Sequence, residues 1–401
     1  MMNAHSLPPG FRAAGIAAGI KESGTTDLGL IVADEAWPAW ALYTQNHLLG
    51  AHIPVCQAHL RSSSGRVRAL LVNSGNANCA TGEQGIQDNE KISKALARLL
   101  DCPPHQVLFM STGAIGAHLP VDKIESALPD LLSKIREDGV DEFATAIMTT
   151  DTHPKVVADT LTTSDGETIQ VTGIAKGSGM IHPDMATMLG FLVTDGCSPA
   201  DLGFGLRALA DESFHRVTVD GDTSPNDTVL LWSSHRHVCQ STKNEYDQDV
   251  YPLEDQLTAT SRDLSRMIAR DGEGASRLVT VQIKGARADQ DTLDVGRFIA
   301  TSPLVKTAIC GRDPNWGRSL SAAATSGFPI DIANARVWIG EFDLFSNGEP
   351  HPENEAAASE YLCANDAVVI GVDLGTGPFE GEVWSCDLTR DYVSINADYR
   401  S

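Results

Sequence analysis

Basic residues are scarce in this chain: 30 Lys and Arg stand against 53 Asp and Glu, leaving a formal net charge of −23. Nucleic acid and anionic membranes attract basic patches, so neither is expected as a partner, while a local basic pocket for a small anion stays compatible with that balance. Long apolar runs are missing too. No stretch approaches the roughly 20 apolar residues of a membrane span, and between Met1 and Ile20 the only apolar piece is the short, glycine-broken Ala13-Ala14-Gly15-Ile16. Secretion and membrane insertion are therefore not expected, and a cytoplasmic location is. The cysteines, Cys56, Cys79, Cys102, Cys197, Cys239, Cys310, Cys363 and Cys386, stand singly with no Cys-x-x-Cys pair. That argues against a zinc ribbon and a disulfide framework and fits a reducing compartment, with the thiols acting mostly as small buried hydrophobes. Internal repeats and low-complexity segments are absent, and Gly371 to Gly377 lacks the glycine spacing and the following helix of a phosphate-binding loop.

What is present is ordinary globular material. The 401 residues are 42% apolar and 21% charged, enough for a sizeable core spread over about two to three domains. Short apolar runs at Leu28 to Ala33, Trp40 to Tyr43, Val67 to Val72 and Val107 to Met110 read as strands, with a loop at Ser62-Ser63-Ser64-Gly65. Helical spacing marks Asp88 to Leu100 and Val121 to Ile135, the latter with a kink or break expected at Pro129. A hairpin is expected around Ser164-Asp165-Gly166. Beyond it, Ala200 to Phe214 and Tyr251 to Arg270 read as helices, Leu278 to Ile283 as a strand, and Asp294 to Ile309 as a helix interrupted at Pro303. Val217 to Val219, Val337 to Phe345, Ala367 to Leu374, Val383 to Cys386 and Val393 to Ile395 read as strands.

Several polar clusters sit at the ends of these elements. Asn73-Ser74-Gly75-Asn76-Ala77-Asn78 follows a strand and suits either ligand hydrogen bonds or the bracing of a neighbouring loop. In Ser111-Thr112-Gly113 a hydroxyl stands beside a glycine N–H, two donors that could meet one oxygen, though the same string also makes an ordinary turn. Asp220-Gly221-Asp222-Thr223-Ser224-Pro225-Asn226-Asp227 has the acidity of a calcium loop without its glycine position or closing glutamate. His235, His237 and Cys239 alternate as on one strand face, with no fourth ligand at zinc spacing. Arg312 and Arg318 suit an anion or a surface ion pair. The chain's most suggestive stretch runs from Lys176 to Gly190. There a glycine-rich loop, Lys176-Gly177-Ser178-Gly179-Met180, leads to the apolar strand Met188 to Val193, and Thr187 stands at the junction after small Ala186. Glycines allow close approach and positive φ, so such a loop can present a nucleophilic hydroxyl, although a threonine at a strand edge is also a common β-branched residue.

The string Lys176 to Leu189 resembles the self-cleavage segment of the ornithine acetyltransferase family. The resemblance extends over nearly the whole chain, through Gly15-Ile16, Asp27-Leu28-Gly29-Leu30, the Asn73 to Asn78 run, Ser111-Thr112-Gly113, Thr149-Thr150-Asp151-Thr152, Val219-Asp220-Gly221-Asp222-Thr223, Arg270-Asp271-Gly272-Glu273-Gly274 and Asp313-Pro314-Asn315-Trp316-Gly317-Arg318. It implies an α/β layered sandwich of stacked β-sheets covered by helices, of the self-processing amino-terminal-threonine type. A main domain, 1–283, would be cut between Ala186 and Thr187 into fragments 1–186 and 187–401, and a smaller carboxy-terminal α/β domain, 284–401, would return its tail to the site. The resemblance further implies that Thr187 is the nucleophile, that Thr112 and Gly113 form an oxyanion hole, and that Thr150 (with its neighbour Thr149 as the alternative), Lys176, Thr187, Glu273, Asn396 and the carboxy-terminal Ser401 contact substrate. The implied activity moves acetyl from N-acetylornithine to glutamate, with acetyl-CoA as a further donor in bifunctional members. No metal or other cofactor is implied, and the two fragments would pair as a dimer of heterodimers. Two positions depart from the family pattern: Ser401 stands where threonine is usual, and Pro225 where a small polar residue is usual. An amidohydrolase or aminopeptidase using the same threonine, and a binding relative that never cleaves, are the alternative readings.

Overall fold

The computed structural model describes residues 5–163, 166–182, 188–197, 202–243 and 249–398. Among them, eight strands form a first sheet: β1 (Phe11–Ile16), β2 (Leu28–Tyr43), β3 (Arg66–Asn73), β4 (Val107–Ser111), β5 (Lys155–Thr162), β6 (Thr168–Lys176), β7 (Leu189–Cys197) and β8 (Thr228–Val238). Their order is β4-β3-β2-β8-β7-β6-β5, with β1 also on β2. The 16-residue β2 makes this one path into two layers. Its first half pairs with β1 and β3, its last five residues pair with β8, and its register with β3 shifts between Val32 and Trp37. A bend of that kind lets one sheet fold back over itself.

Alternation along the strands then decides what each layer touches. Ile31, Leu70, Val72, Leu108 and Met110 from the first half meet Ile174, Leu189, Phe191, Val193, Leu230 and Trp232 from the second in a shared inner core. Phe11 meets the Trp232 ring edge-on, with centroids 5.0 Å apart. The intervening residues face outward into two further cores. Leu28, Leu30, Leu71 and Phe109 pack under helices α2 (Gly82–Leu99) and α3 (Val121–Ser133). Val171, Leu192, Val229 and Leu231 pack under α5 (Leu202–Asp211) and α6 (Pro252–Arg270). Helix, sheet, sheet and helix follow in order, the layered sandwich expected. Each fully buried large apolar side chain contributes about 1.5–3 kcal/mol to it. The shorter helices α1 (His52–Ser62) and α4 (Val140–Ala146) fill its margins, and a two-stranded ribbon, β9 (Thr242–Lys243) with β10 (Asp249–Val250), precedes α6.

A second sheet is built from β11 (Leu278–Ala286), β12 (Arg336–Ile339), β13 (Phe342–Ser346), β14 (Glu349–Pro350), β15 (Ala367–Asp373) and β16 (Phe379–Cys386), in the order β14-β13-β12-β15-β11-β16. With α7 (Asp289–Thr301), α8 (Pro303–Cys310), α9 (Trp316–Thr325) and α10 (Glu355–Ala364) it holds its own core. Its first strand begins at Leu278, before the boundary expected at 284. Helix α11 (Arg390–Asp398) ends the described chain.

Several local readings need correction. Val393 to Ile395 lies inside α11, where β-branched residues are tolerated on a helix face. Pro129 sits within α3 without ending it. Val337 to Phe345 is two strands joined at Gly340, whose φ of +60° makes the turn. Val217 makes only an isolated bridge, to Trp384. Of the expected hairpin, Ser164 and Asp165 lie outside the described residues, and the flanking strands pair Thr162 with Thr168.

Candidate active site

The strand directions gather the polar clusters at one end of the sandwich. β3 and β4 run parallel and finish side by side, and β6 finishes where β7 and β8 begin; the Asn226 amide, just before β8, donates to the Ser111 carbonyl at the end of β4 at 2.7 Å, which joins the two sets of ends. Register sets Lys176 beside Leu189, and Leu189 beside Thr228. Loops from these ends help enclose a cleft that is partly open to solvent. Thr112, Gly113, Thr149, Thr150, Lys176, Glu273 and Asn396 all line it. Ala186, Thr187 and Ser401 lie outside the described residues.

Gly113 has φ +130°, and a Cβ there would fall 2.4 Å from the Gly75 carbonyl carbon and 2.5 Å from the Asn76 nitrogen. Glycine is thus required by conformation and by space. The Asn73 to Asn78 run braces this turn. The Asn73 carbonyl accepts the Thr112 N–H at 3.0 Å, and the Asn73 amide donates to the Asn76 carbonyl at 2.9 Å. The Thr112 hydroxyl accepts from Lys176 Nζ at 3.2 Å, which leaves its own hydrogen available to an oxygen in the cleft.

Lys176 is 2% exposed. Burial pulls its ammonium below the usual lysine range, against the opposing attraction of Asp151, Asp227 and Glu273. Asp151 behaves differently: burial alone would raise it, yet Lys176 and Lys155 together hold its carboxyl well below the usual carboxylate range. Its Oδ1 accepts from Lys155 Nζ at 2.8 Å and from the Gly177 N–H at 2.7 Å, and its Oδ2 from the Thr149 N–H at 2.9 Å. Lys155 Nζ also donates to Asp271 at 2.5 Å. The loop after Lys176 is pinned from there onward. Ser178 donates its hydroxyl to the Asp271 carbonyl at 2.6 Å and its carbonyl accepts the Glu273 N–H at 3.0 Å. A Cβ on Gly179 would strike the Glu273 carboxyl carbon at 2.3 Å. Asn396, brought in by α11, donates to Glu273 Oε2 at 2.7 Å.

The model of the ArgJ family matches residues 12–401. The chain belongs to the ArgJ family. It is 42% identical to arginine biosynthesis bifunctional protein ArgJ 1 of Nostoc sp., over 98% of this chain and 97% of that one. It is 44% identical to the arginine biosynthesis bifunctional protein ArgJ of Thermosynechococcus vestitus, over 97% and 96%. A crystal structure of the protein of that name from Bacillus halodurans is 38% identical, with a TM-score of 0.48, and covers 53% of this chain and 100% of its own.

In this ArgJ family member the sequence reading overlooked four carboxylates and a lysine. Asp220 accepts the Met180 and Ile181 N–H groups at 2.6 and 2.9 Å and is raised by burial to about 6. Asp227 accepts the Met188 N–H at 3.0 Å. Asp151, Asp271 and Lys155 form the buried ion pairs already described. The signal for Asp220 and Asp227 was their density in one acidic run, and the partners found for them are backbone N–H groups. Among the described residues no group of three or more His, Cys, Asp or Glu could hold a metal ion, and no helix is long and apolar enough to cross a membrane. The alternation expected of His235, His237 and Cys239 is broken by a φ of +53° at His235. Arg312 and Arg318 do not line the cleft, and Arg318 donates to the Leu304 carbonyl at 2.8 Å.

Proposed function

We propose that the chain cuts itself between Ala186 and Thr187 and that the freed Thr187 carries acetyl from N-acetylornithine to glutamate. One observation carries this reading. A hydroxyl and a glycine (Thr112, Gly113), a buried amine (Lys176) and a carboxylate (Glu273) face one cleft at the end of the sandwich where β7 begins, two residues after Thr187. In the uncut chain the Thr187 hydroxyl attacks the Ala186 carbonyl, and the resulting ester is opened by water. The new α-amine, with a reference pKa of about 7.7–8.0, is then the base that takes the hydroxyl proton, so no histidine is needed.

In turnover Thr187 attacks the acetyl carbonyl of N-acetylornithine. Thr112 and the Gly113 N–H receive the developing oxyanion, each donor typically worth about 3–4 kcal/mol. Lys176 pairs the α-carboxylate, Glu273 meets the ornithine ammonium, and Thr150, Asn396 and Ser401 complete the contacts. Ornithine leaves, and glutamate takes the acetyl group in the second half of a ping-pong cycle. No metal or other cofactor takes part. Acetyl-CoA is the second acetyl donor to assay, since the relatives are named bifunctional. The fragments stay together, pair as a dimer of heterodimers, and work in the cytoplasm.

Intact mass and a denaturing gel test the first step. Fragments 1–186 and 187–401, lost in Thr187→Ala, are expected. A folded but uncut wild-type chain would sink the activated-amine scheme. With the cut in place, N-acetylglutamate should form from N-acetylornithine and glutamate, whereas net acetate release without it would favour an amidohydrolase.

A further inference from the structure

The cleft has two walls of opposite character. On one side the Thr149 and Gly177 N–H groups share the Asp151 carboxylate, and Glu273 is joined to the Ser178 carbonyl and to Asn396. Lys176 and Glu273 make that side the charged one. On the other side the lining includes Ala77, Ile115 and Pro225, and no role given above uses them. Residues 75–80 and 113–118 contain no Asp, Glu, Lys or Arg.

Hydrogen bonds fasten this second wall. The Ala77 N–H donates to the carbonyl of Ala114, one residue before Ile115, at 2.9 Å. The Asn226 amide, one residue after Pro225, donates to the Ala77 carbonyl at 2.6 Å and to the Ser111 carbonyl at 2.7 Å. Asn226 is 3% exposed, so the side chain that ties the three segments together is itself buried. Pro225 has no N–H to offer, and its carbonyl already accepts the Gly50 N–H at 2.9 Å. Thr112 and Gly113 stand where the two walls meet. Lys176 Nζ reaches the Thr112 hydroxyl from one side at 3.2 Å, and Ala114, next to Gly113, bonds Ala77 on the other. The apolar wall is not capped. Ile115 is 37% exposed, and a Cβ built on the following Gly116 would meet nothing within 4 Å. A wall meant to stop at a methyl group would need a side chain there.

An N-acylated amino acid divides in the same way. Its charged groups suit the first wall, its amide oxygen the junction, and its acyl carbons the second wall, where no polar group is left without a partner by their arrival. Resting on the acetyl-transfer reading above, we propose that Ala77, Ile115 and Pro225 form an acyl-tail subsite through which the chain transfers propionyl and butyryl groups as well as acetyl, with Ile115 as the specificity-determining residue. The bonds exchanged are the same for every tail. The donor's carbonyl-to-nitrogen bond breaks as an ester to the enzyme hydroxyl forms, and the hydroxyl proton leaves on the ornithine nitrogen. The glutamate amine then forms the new amide, the ester breaks, and one amine proton returns to the hydroxyl oxygen.

The test supplies the purified wild-type protein with N-acetyl-, N-propionyl- or N-butyrylornithine and glutamate, and follows each N-acylglutamate by mass. Each methylene buried against the apolar wall is worth up to about fourfold in binding, so kcat/KM for the butyryl donor should lie within about tenfold of that for the acetyl donor. In Ile115→Ser the butyryl-to-acetyl ratio should fall by about four- to fifteenfold, the share of two methylenes. A ratio measured within one preparation does not depend on how much of it is folded. Acetyl transfer with butyryl transfer slower by more than about 100-fold, the most that methylene discrimination usually gives, overturns this inference and leaves the acetyl reading standing. So does an unchanged ratio in Ile115→Ser. If no acyl group is transferred, the acetyl reading falls, and calorimetric titration with the same three compounds judges the subsite by itself. Affinity that climbs with tail length in wild type but not in Ile115→Ser supports it, and equal affinities overturn it.

Discussion

Two lysines lie buried a few residues from the same cleft, and their surroundings could hardly differ more. Lys155, 0% exposed, sits beneath the floor with Asp151 at 2.8 Å and Asp271 at 2.5 Å. Lys176, 2% exposed, lines the cleft, and its closest hydrogen bond is to a neutral hydroxyl, that of Thr112. Asp151 touches the first directly and the second only through longer-range attraction. The lower region is satisfied within the protein, so it positions. The upper region presents an amine and a hydroxyl to the cleft, groups that a ligand carboxylate would pair with.

Four substitutions would break or sharpen this contrast. The largest effect is expected from Lys155→Met, which leaves two buried carboxylates without their cation and should cost about 3–5 kcal/mol of stability. Denaturant unfolding measures it, and an unchanged midpoint would mean the lower cluster supports nothing. Next is Gly113→Ala, whose methyl must displace the Gly75 backbone; misplacing one donor of the proposed oxyanion hole predicts a fall in kcat of about 10²–10³-fold. In Lys176→Met the order inverts. Stability should hold or rise, since a charge weakened by its burial is removed, while kcat/KM falls by about 10–100-fold if the proposed charged hydrogen bond to substrate, worth about 1.5–3 kcal/mol, is lost. A variant that unfolds instead would erase the distinction between the two lysines.

The smallest effect is one of pH. Asp220 titrates near 6 in the fold against about 3.9 unfolded. Because its folded pKa is raised, the unfolded chain releases this proton first, and its contribution to stability falls as pH rises from about 4 to 6. Melting curves across that window should show the slope in wild type and its reduction in Asp220→Asn. Asp151 has the opposite sign: its carboxyl is depressed, so its contribution is present above the unfolded pKa and is lost as pH falls through the lower folded value.

Much of the layering was legible because it rests on alternation. Leu70 and Val72 against Leu71, or Phe191 and Val193 against Leu192, already divide into two faces as written. Thr112-Gly113 and the Lys176 to Met180 loop were legible because glycine beside a hydroxyl is a local pattern. The run Val393 to Ile395 misled for the same reason, since it carries β-branched residues whose helical setting depends on the rest of α11. Asp151, Asp220 and Asp227 were not legible as anchors. Their partners, the N–H groups of Gly177, Met180, Ile181 and Met188, are 26 to 40 residues away, and a backbone donor leaves no mark in composition.

The bend in β2 gives the proposed chemistry a timing. Thr112 follows the last residue of a strand of one layer and Lys176 ends a strand of the other, and they meet only once β2 has doubled the sheet over and the inner core has closed. On the proposed mechanism, a chain halted before that point would have no assembled cleft and would keep its backbone whole. The break before Thr187 would then serve as a stamp of completed assembly, left permanently on each molecule that passed.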